Sequence, residues 1–372
     1  MTAAKDAQPG AIDYAASGVD YEWLDLFKRE CQKRARETIE TFSQPNLLDA
    51  GERGESAHIV AFGDSYIAHV EEGLGTKNLV ADAVYAETGK NFYREIGIDI
   101  VATIVNDLAT CGARPVAVAM HAAVATADWF RDGPRRDALA AGFAEGCRLS
   151  GAIWGGGETA ALSGIVKDEA AVLGGSSWGL IQPKGRRIKG DPKPGDAIVL
   201  LASSGIHANG ITLCRKLVER LPQGYSTDIG DGRGFGEALL AATVIYVPFV
   251  NACQDAGIDL KYAVNMTGHG WRKLMRLSDD LVYRVTEPGP RGRFFDFILE
   301  TGLMSVEEAY GTFNMGAGFA VYVDPKDIDA TIAAAKSAGI PAWLGGRVEA
   351  GSRGVVIEPL NVAFDGSSLN LR

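Results

Sequence analysis

The chain has 372 residues, 47% hydrophobic and 23% charged, which is enough length for two domains of ordinary globular composition. A formal net charge of −10 excludes a nucleic-acid binder of the usual kind, which needs a basic surface. No run approaches the ~18 apolar residues of a membrane span, and the N-terminus lacks the apolar core of a signal peptide. The five cysteines are scattered, odd in number and free of any C-x-x-C pair. They read as reduced, mostly buried thiols of a cytoplasmic protein, with no zinc site.

In chain order, residues 1–20 are small and polar and read as a mobile tail, followed by a charged helix from Glu22 to about Phe42. Strands are predicted at His58–Phe62 and Ser65–Val70. From Gly97 to Pro115, Ile98, Val101, Ile104, Val105 and Leu108 recur at helical spacing, which predicts a helix with one apolar stripe. Gly112 suits its C-cap, and Pro115 prevents resumption. A strand at Val116–Met120, a helix from about Arg135 to Ser150 and a strand from Leu173 to Ile181 follow. The Lys-, Arg-, Gly- and Pro-rich stretch from Gln182 to Gly195 is the best domain boundary. It divides the chain into an N-terminal domain at 21–185 and a C-terminal domain at 186–372. The second domain opens with a buried strand at Asp196–Ala202 and a helix from Ile211 to Arg220. A helical run spans Glu237–Ala256, and alternating strands and helices run from Gly318 onward. Together these elements predict a mixed α+β fold of two domains.

Several turns carry chemistry. Glu71-Glu72-Gly73-Leu74-Gly75-Thr76-Lys77 brings carboxylates, glycines and a lysine together, as either a phosphate-binding turn or a surface turn. Gly155-Gly156-Gly157-Glu158-Thr159 offers a carboxylate for Mg²⁺ or a tight structural turn. Ser203 to Gly210 follows a buried strand, so His207 either exchanges a proton near neutral pH or caps the turn. Asp99 and Asp107 lie eight residues apart, about 12 Å along a helix, and could serve two ends of a long ligand. Met266–Gly270 and Thr312–Gly318 are further polar turns punctuated by glycine. His269 is either a ligand contact or an exposed loop residue.

Taken in order, these motifs resemble the aminoimidazole ribonucleotide synthetase (phosphoribosylformylglycinamidine cyclo-ligase) family over almost the whole chain. The carriers are Asp107-x4-Gly112-Ala113-x-Pro115, Gly156-Gly-Glu-Thr-Ala160, Ser203-Ser-Gly-x-His207-x-Asn209-Gly210 and Thr312-Phe-Asn314-x-Gly316-x-Gly318. The first is shared with thiamine-phosphate kinase, selenophosphate synthetase and hydrogenase-maturation relatives. The resemblance implies an N-terminal sheet domain that pairs into a barrel in a homodimer, and a C-terminal α/β sandwich. It implies an ATP- and Mg²⁺-dependent ligase of purine biosynthesis that closes the ring of formylglycinamidine ribonucleotide.

By that resemblance the metal ligands are Glu72, Asp99, Asp107 and Glu158, and the nucleotide is held by Gly73, Gly75, Thr76, Lys77, Gly157 and Thr159 as well. Catalysis falls to His207, Asp99 and Lys77, and substrate binding to Asn209, Thr267, Gly268 and Asn314. Three departures stand out: Glu72 replaces the family's Asp, the glycine-rich loop before that strand is missing across Thr41–Gly51, and His269 replaces a glycine. They motivate two alternatives, another ATP-dependent small-molecule kinase or synthetase on the same scaffold and a non-catalytic nucleotide-binding homologue.

Overall fold

The computed structural model describes residues 21–41, 47–49, 56–277 and 280–369. The expected tail at 1–20 and most of the Thr41–Gly51 stretch lie outside them. The N-terminal half comprises α1 (Tyr21–Glu37), β1 (Leu47–Asp49), β2 (His58–Phe62), β3 (Ser65–Gly73), α2 (Lys77–Thr88), α3 (Tyr93–Thr110), β4 (Arg114–Val124), α4 (Gly133–Ser150), β5 (Ile153–Ala161) and β6 (Ala171–Ile181). Its strands form one sheet in the order β1-β2-β3-β6-β4-β5, antiparallel except for the β4–β5 pair.

The C-terminal half comprises β7 (Ala197–Ala202), α5 (Ile211–Leu217), α6 (Phe235–Leu239), α7 (Val247–Asp255), β8 (Tyr262–Asn265), β9 (Leu281–Val285), α8 (Arg293–Glu300), α9 (Val306–Thr312), β10 (Ala317–Val323), α10 (Ile328–Ser337), β11 (Ala342–Ala350), β12 (Gly354–Ile357) and β13 (Val362–Asp365). A second sheet runs β13-β12-β9-β11-β7-β10-β8. Its central strands β7 and β10 are buried almost throughout, so they read as continuous apolar runs rather than alternating ones. The fold is mixed α+β, built on these two sheets.

Helix α3 lies at the centre. The sequence predicts one apolar stripe, but the helix is buried on nearly every side, between the first sheet, α4 and the C-terminal half. Gly97 allows the α3–α4 approach, since a Cβ there would lie 2.4 Å from the Leu139 carbonyl oxygen. Gly112, at φ 81°, ends the helix in the left-handed region that favours glycine.

Three sequence expectations change. The run Glu237–Ala256 is not one helix, because residues 240–246 between α6 and α7 are non-helical. This segment supplies hydrogen-bond partners to polar side chains of buried α2 and α3, and that demand outweighs local helix propensity. The Gly155–Thr159 stretch is no turn but part of β5, pairing with β4 through Met120↔Gly157 and His121↔Glu158. Strand β3 continues past Val70 to Gly73 because β6 pairs with it as far as Gly174. The extension places Glu71 and Glu72 on opposite faces of the sheet.

Candidate active site

A cavity of about 690 Å³ opens between the two halves. Its floor carries Glu72 from β3 and Asp107 from α3, and its rim carries the turn Gly73-Leu74-Gly75-Thr76 that leads into α2. Opposite lie Asn209 and Gly210 before α5, then Thr267, Gly268 and His269 after β8. Phe27, Lys28, Cys31 and Gln32 of α1 also line it. The first backbone N–H groups of a helix have no intrahelical partners, so the start of α2 favours an anion. Thr76 meets Thr212 across the cavity, with their hydroxyl oxygens 3.0 Å apart.

Two acids face this space in different surroundings. Asp107 Oδ1 accepts a 2.7 Å hydrogen bond from Asn265 Nδ2, which fixes the carboxylate against β8. Glu72 meets the solvent of the cavity, yet the protein around it pushes its carboxyl up to about 7. Burial is the largest cause and the Asp107 charge the next, with Lys273 and Lys28 opposing. Lys273 stands in the same wall, on a 3-10 turn at Gly270–Met275. Its ammonium donates to the Thr267 hydroxyl and to the Asn265 carbonyl. Burial lowers it to about 8.

Other expected site residues lie elsewhere, each for a physical reason. Lys77 and Asp99 do not face the cavity. They are fully buried and paired at 2.7 Å, and Lys77 Nζ also donates to the Ala241 carbonyl at 2.8 Å. Asp99 Oδ1 accepts from the Thr243 backbone N–H and hydroxyl at 2.8 and 2.6 Å, so its oxygens are committed. His207 is 2% exposed, and its Nε2 accepts from the Ser204 N–H at 3.3 Å. Burial, assisted by the Lys77 charge, lowers its pKa to about 3, so it is neutral at pH 7.

Asn314 pins the neighbouring loops: its Oδ1 accepts from Ser203 Oγ and Gly316 N, and its Nδ2 donates to the Gly205 carbonyl. Gly157, Glu158 and Thr159 lie on edge strand β5, away from the cavity of the single chain. The structure thus gathers Glu72, Gly73, Gly75, Thr76, Asp107, Asn209, Thr267 and Gly268, and separates them from Lys77, Asp99, His207, Asn314 and the β5 residues.

Sequence reading missed Lys273 and Asn265. Asn265 directly precedes a motif that was visible. Lys273 has no motif, and its one signal is a lysine among the apolar Trp271, Leu274 and Met275.

The geometry defines a two-sheet protein with a charged, polyphosphate-sized cavity between its halves. The model of the N-terminal domain of AIR synthase related proteins matches residues 54–181, and that of the C-terminal domain matches residues 193–358. The chain belongs to the AIR synthase related family. It is 32% identical over 359 residues to a phosphoribosylformylglycinamidine cyclo-ligase of Lachnospira eligens, covering 93% of this chain and 100% of that one. It is 35% identical over 346 residues to the enzyme of the same name from Methanocaldococcus jannaschii, covering 91% and 92%.

Among solved structures, AaThiL complexed with AMPPCP and TMP aligns with a TM-score of 0.59 at 13% identity, covering 92% of this chain and 94% of that one. Hydrogenase maturation protein HypE in complex with ATP aligns at 0.57 and 18%, covering 88% and 90%. At these identities the structural likeness shows a shared fold.

Proposed function

We propose that this chain is an ATP-dependent phosphoribosylformylglycinamidine cyclo-ligase of purine biosynthesis. The observation that carries the reading is the pair Glu72 and Asp107, lining one cavity together with the Gly73–Thr76 turn. Identity of 32–35% to curated cyclo-ligases over nine-tenths of the chain supports it.

The donor set fits Mg²⁺ arriving with nucleotide. Among the described residues no three His, Cys, Asp or Glu side chains group to hold a metal unaided. Mg²⁺ commonly takes only one or two carboxylates, and substrate phosphates and waters complete its shell. Glu72 and Asp107 would hold it, and bound there it offsets charge on the transferring phosphoryl group. The N–H groups at the start of α2, with Gly73, Gly75 and Thr76, bind and orient the triphosphate. Asn209, Thr267 and Gly268 line the side where the ribonucleotide lies. The formyl amide oxygen of formylglycinamidine ribonucleotide takes the γ-phosphoryl group of ATP, and ADP leaves. An internal nitrogen then attacks the activated carbon, phosphate departs, and the imidazole ring closes. The protein holds the two substrates in line and excludes water from the phosphorylated intermediate.

A homodimer belongs to the same reading. One face of the first sheet packs on α3, while the other exposes Phe62, Ile153, Val172 and Trp178. An uncovered apolar face of this kind favours burial against a second copy.

Purified protein given ATP, Mg²⁺ and formylglycinamidine ribonucleotide is expected to release ADP, phosphate and aminoimidazole ribonucleotide. Asp107→Asn is expected to cut turnover by roughly a hundredfold with little change in Tm, because the amide oxygen still accepts from Asn265. Absence of the aminoimidazole product at high enzyme concentration would sink the reading. Glu72 and His269, at positions where the family carries Asp and Gly, favour a second one, another ATP-dependent kinase or synthetase. ADP release with a different small molecule, and none with the purine intermediate, would select it.

A further inference from the structure

Lys273 stands in an unusual position for a lysine. Its side chain is almost fully buried, yet the residue belongs to the wall that also presents Glu72 and Asp107. The head is not adrift: it donates to Thr267 Oγ1 and to the Asn265 carbonyl oxygen, 3.5 Å away. Asn265 in turn donates through Nδ2 to Asp107 Oδ1 at 2.7 Å. One short strand end therefore fixes both the cation and one of the acids. The 3-10 turn Gly270–Met275 holds the stem, with Trp271, Leu274 and Met275 packed into the core. The ammonium has little freedom to swing out of the cavity wall.

Charge bookkeeping then matters. Two carboxylates without a cation would form a deep well for any free divalent ion. Lys273 opposes that well, and Lys28 and Arg276 line the same cavity and add to the opposition. In a protein wall with an effective dielectric constant of about 20, one fixed charge in Coulombic reach changes the affinity for a divalent ion by roughly tenfold or more. A polyphosphate entering the cavity brings several negative charges and reverses the balance.

We propose that Lys273 is the built-in counter-cation of the Glu72–Asp107 pair, a positioning residue that makes divalent-metal capture depend on arrival of the nucleotide's phosphates. The inference rests on the reading that Glu72 and Asp107 take the metal. It adds that this cavity discriminates against free metal, so metal and triphosphate are taken up together.

The test is Mn²⁺ binding at pH 7 to the full chain, followed by electron paramagnetic resonance and by calorimetry, with and without a non-hydrolysable ATP analogue. Lys273→Met is expected to bind free Mn²⁺ at least about tenfold more tightly than the wild type, and Lys273→Arg to match the wild type. With the ATP analogue present, the gap between wild type and Lys273→Met is expected to narrow, because the ammonium then also meets phosphate. A purely structural lysine would give the opposite result, since a disturbed cavity binds metal more weakly. Free Mn²⁺ bound no more tightly by Lys273→Met than by wild type overturns the proposal. Should Lys273→Met not fold, Lys273→Gln carries the same comparison. Asp107→Asn separates the two levels: unchanged Mn²⁺ binding with nucleotide present overturns the metal-site reading itself, and with it this inference.

Discussion

His207 shows how a motif residue that looks chemical can be buried against its neighbours. Its backbone sits at φ 62°, in the left-handed region, and its ring lies beside Tyr246 with centroids 6.2 Å apart. Gly318 makes room for both rings, because a Cβ there would lie 2.0 Å from the Tyr246 hydroxyl and 2.5 Å from His207 Cε1. The glycine of the Thr312–Gly318 motif is thus explained by a close approach. Burial holds the folded-state pKa of His207 at about 3, against an ordinary value of 6.5. The unfolded chain therefore binds one more proton between those values. The stability His207 contributes is fully present above pH 6.5 and is lost as pH falls toward 3, at up to about 1.4 kcal/mol per pH unit. His207→Asn, which tolerates the left-handed backbone, is expected to flatten that slope in urea unfolding between pH 8 and 5. Parallel slopes below pH 6.5 would contradict the assignment. The sequence made His207 visible, but it left proton exchange and turn capping equally open because a histidine's type does not report its burial.

At the scale of elements, α3 and the segment 240–246 explain each other. Asp99 bonds Thr243, Asn106 Nδ2 donates to the Val244 carbonyl, and Asn106 Oδ1 accepts from the Tyr246 N–H. Lys77 of α2 reaches the Ala241 carbonyl. A buried helix carrying polar groups needs partners, and this segment stays non-helical to provide them. The Lys77–Asp99 pair of the N-terminal half therefore anchors the 240–246 segment of the C-terminal half. Removing one member leaves an uncompensated buried charge, so Lys77→Met is expected to cost about 3–5 kcal/mol in denaturant unfolding. Lys77→Met combined with Asp99→Leu is expected to recover much of that loss. A double-mutant cycle with no coupling between the two positions would refute the pairing. Helix α3 itself was legible from its apolar spacing and its Gly112 stop. The break between α6 and α7 was not, because its cause lies on helices more than a hundred residues earlier in the chain.

The whole molecule is two sheets joined across α3, and the contacts along the boundary extend beyond the cavity. The basic stretch at Lys184–Lys189, which reads as a linker loop, is tied down on both sides. Lys184 and Arg187 lie over the Tyr66 ring, while Arg186 and Arg114 both pair with Asp255 of α7. Among the described residues, the outer face of the first sheet carries an uncovered apolar patch. Trp178, 42% exposed, stands in line with Ala117 and Ile153 across neighbouring strands. Trp178→Glu is expected to shift the protein from dimer to monomer in sedimentation velocity while the monomer stays folded. A wild type that sediments as a monomer at tens of micromolar would remove the basis for the dimer. Glu158 lies on the edge strand β5 of the same sheet, three strands away from Glu72 on β3, which is why one chain by itself does not bring it to the cavity.

The sequence by itself determined the fold class, most helices and strands, and the family, because periodicity, glycine stops and ordered motifs are local quantities. It also delivered the acids and turns from which the candidate site is built. Only the tertiary structure decided which of those groups face the cavity. Asp99 and Asp107 share one helix, yet one is sealed against Lys77 and Thr243 while the other opens onto the cavity beside Glu72. Lys273, silent in the sequence, joins them there. The reason is physical: burial and electrostatic environment are set by every element packed around a side chain, and spacing along the chain carries little of that information.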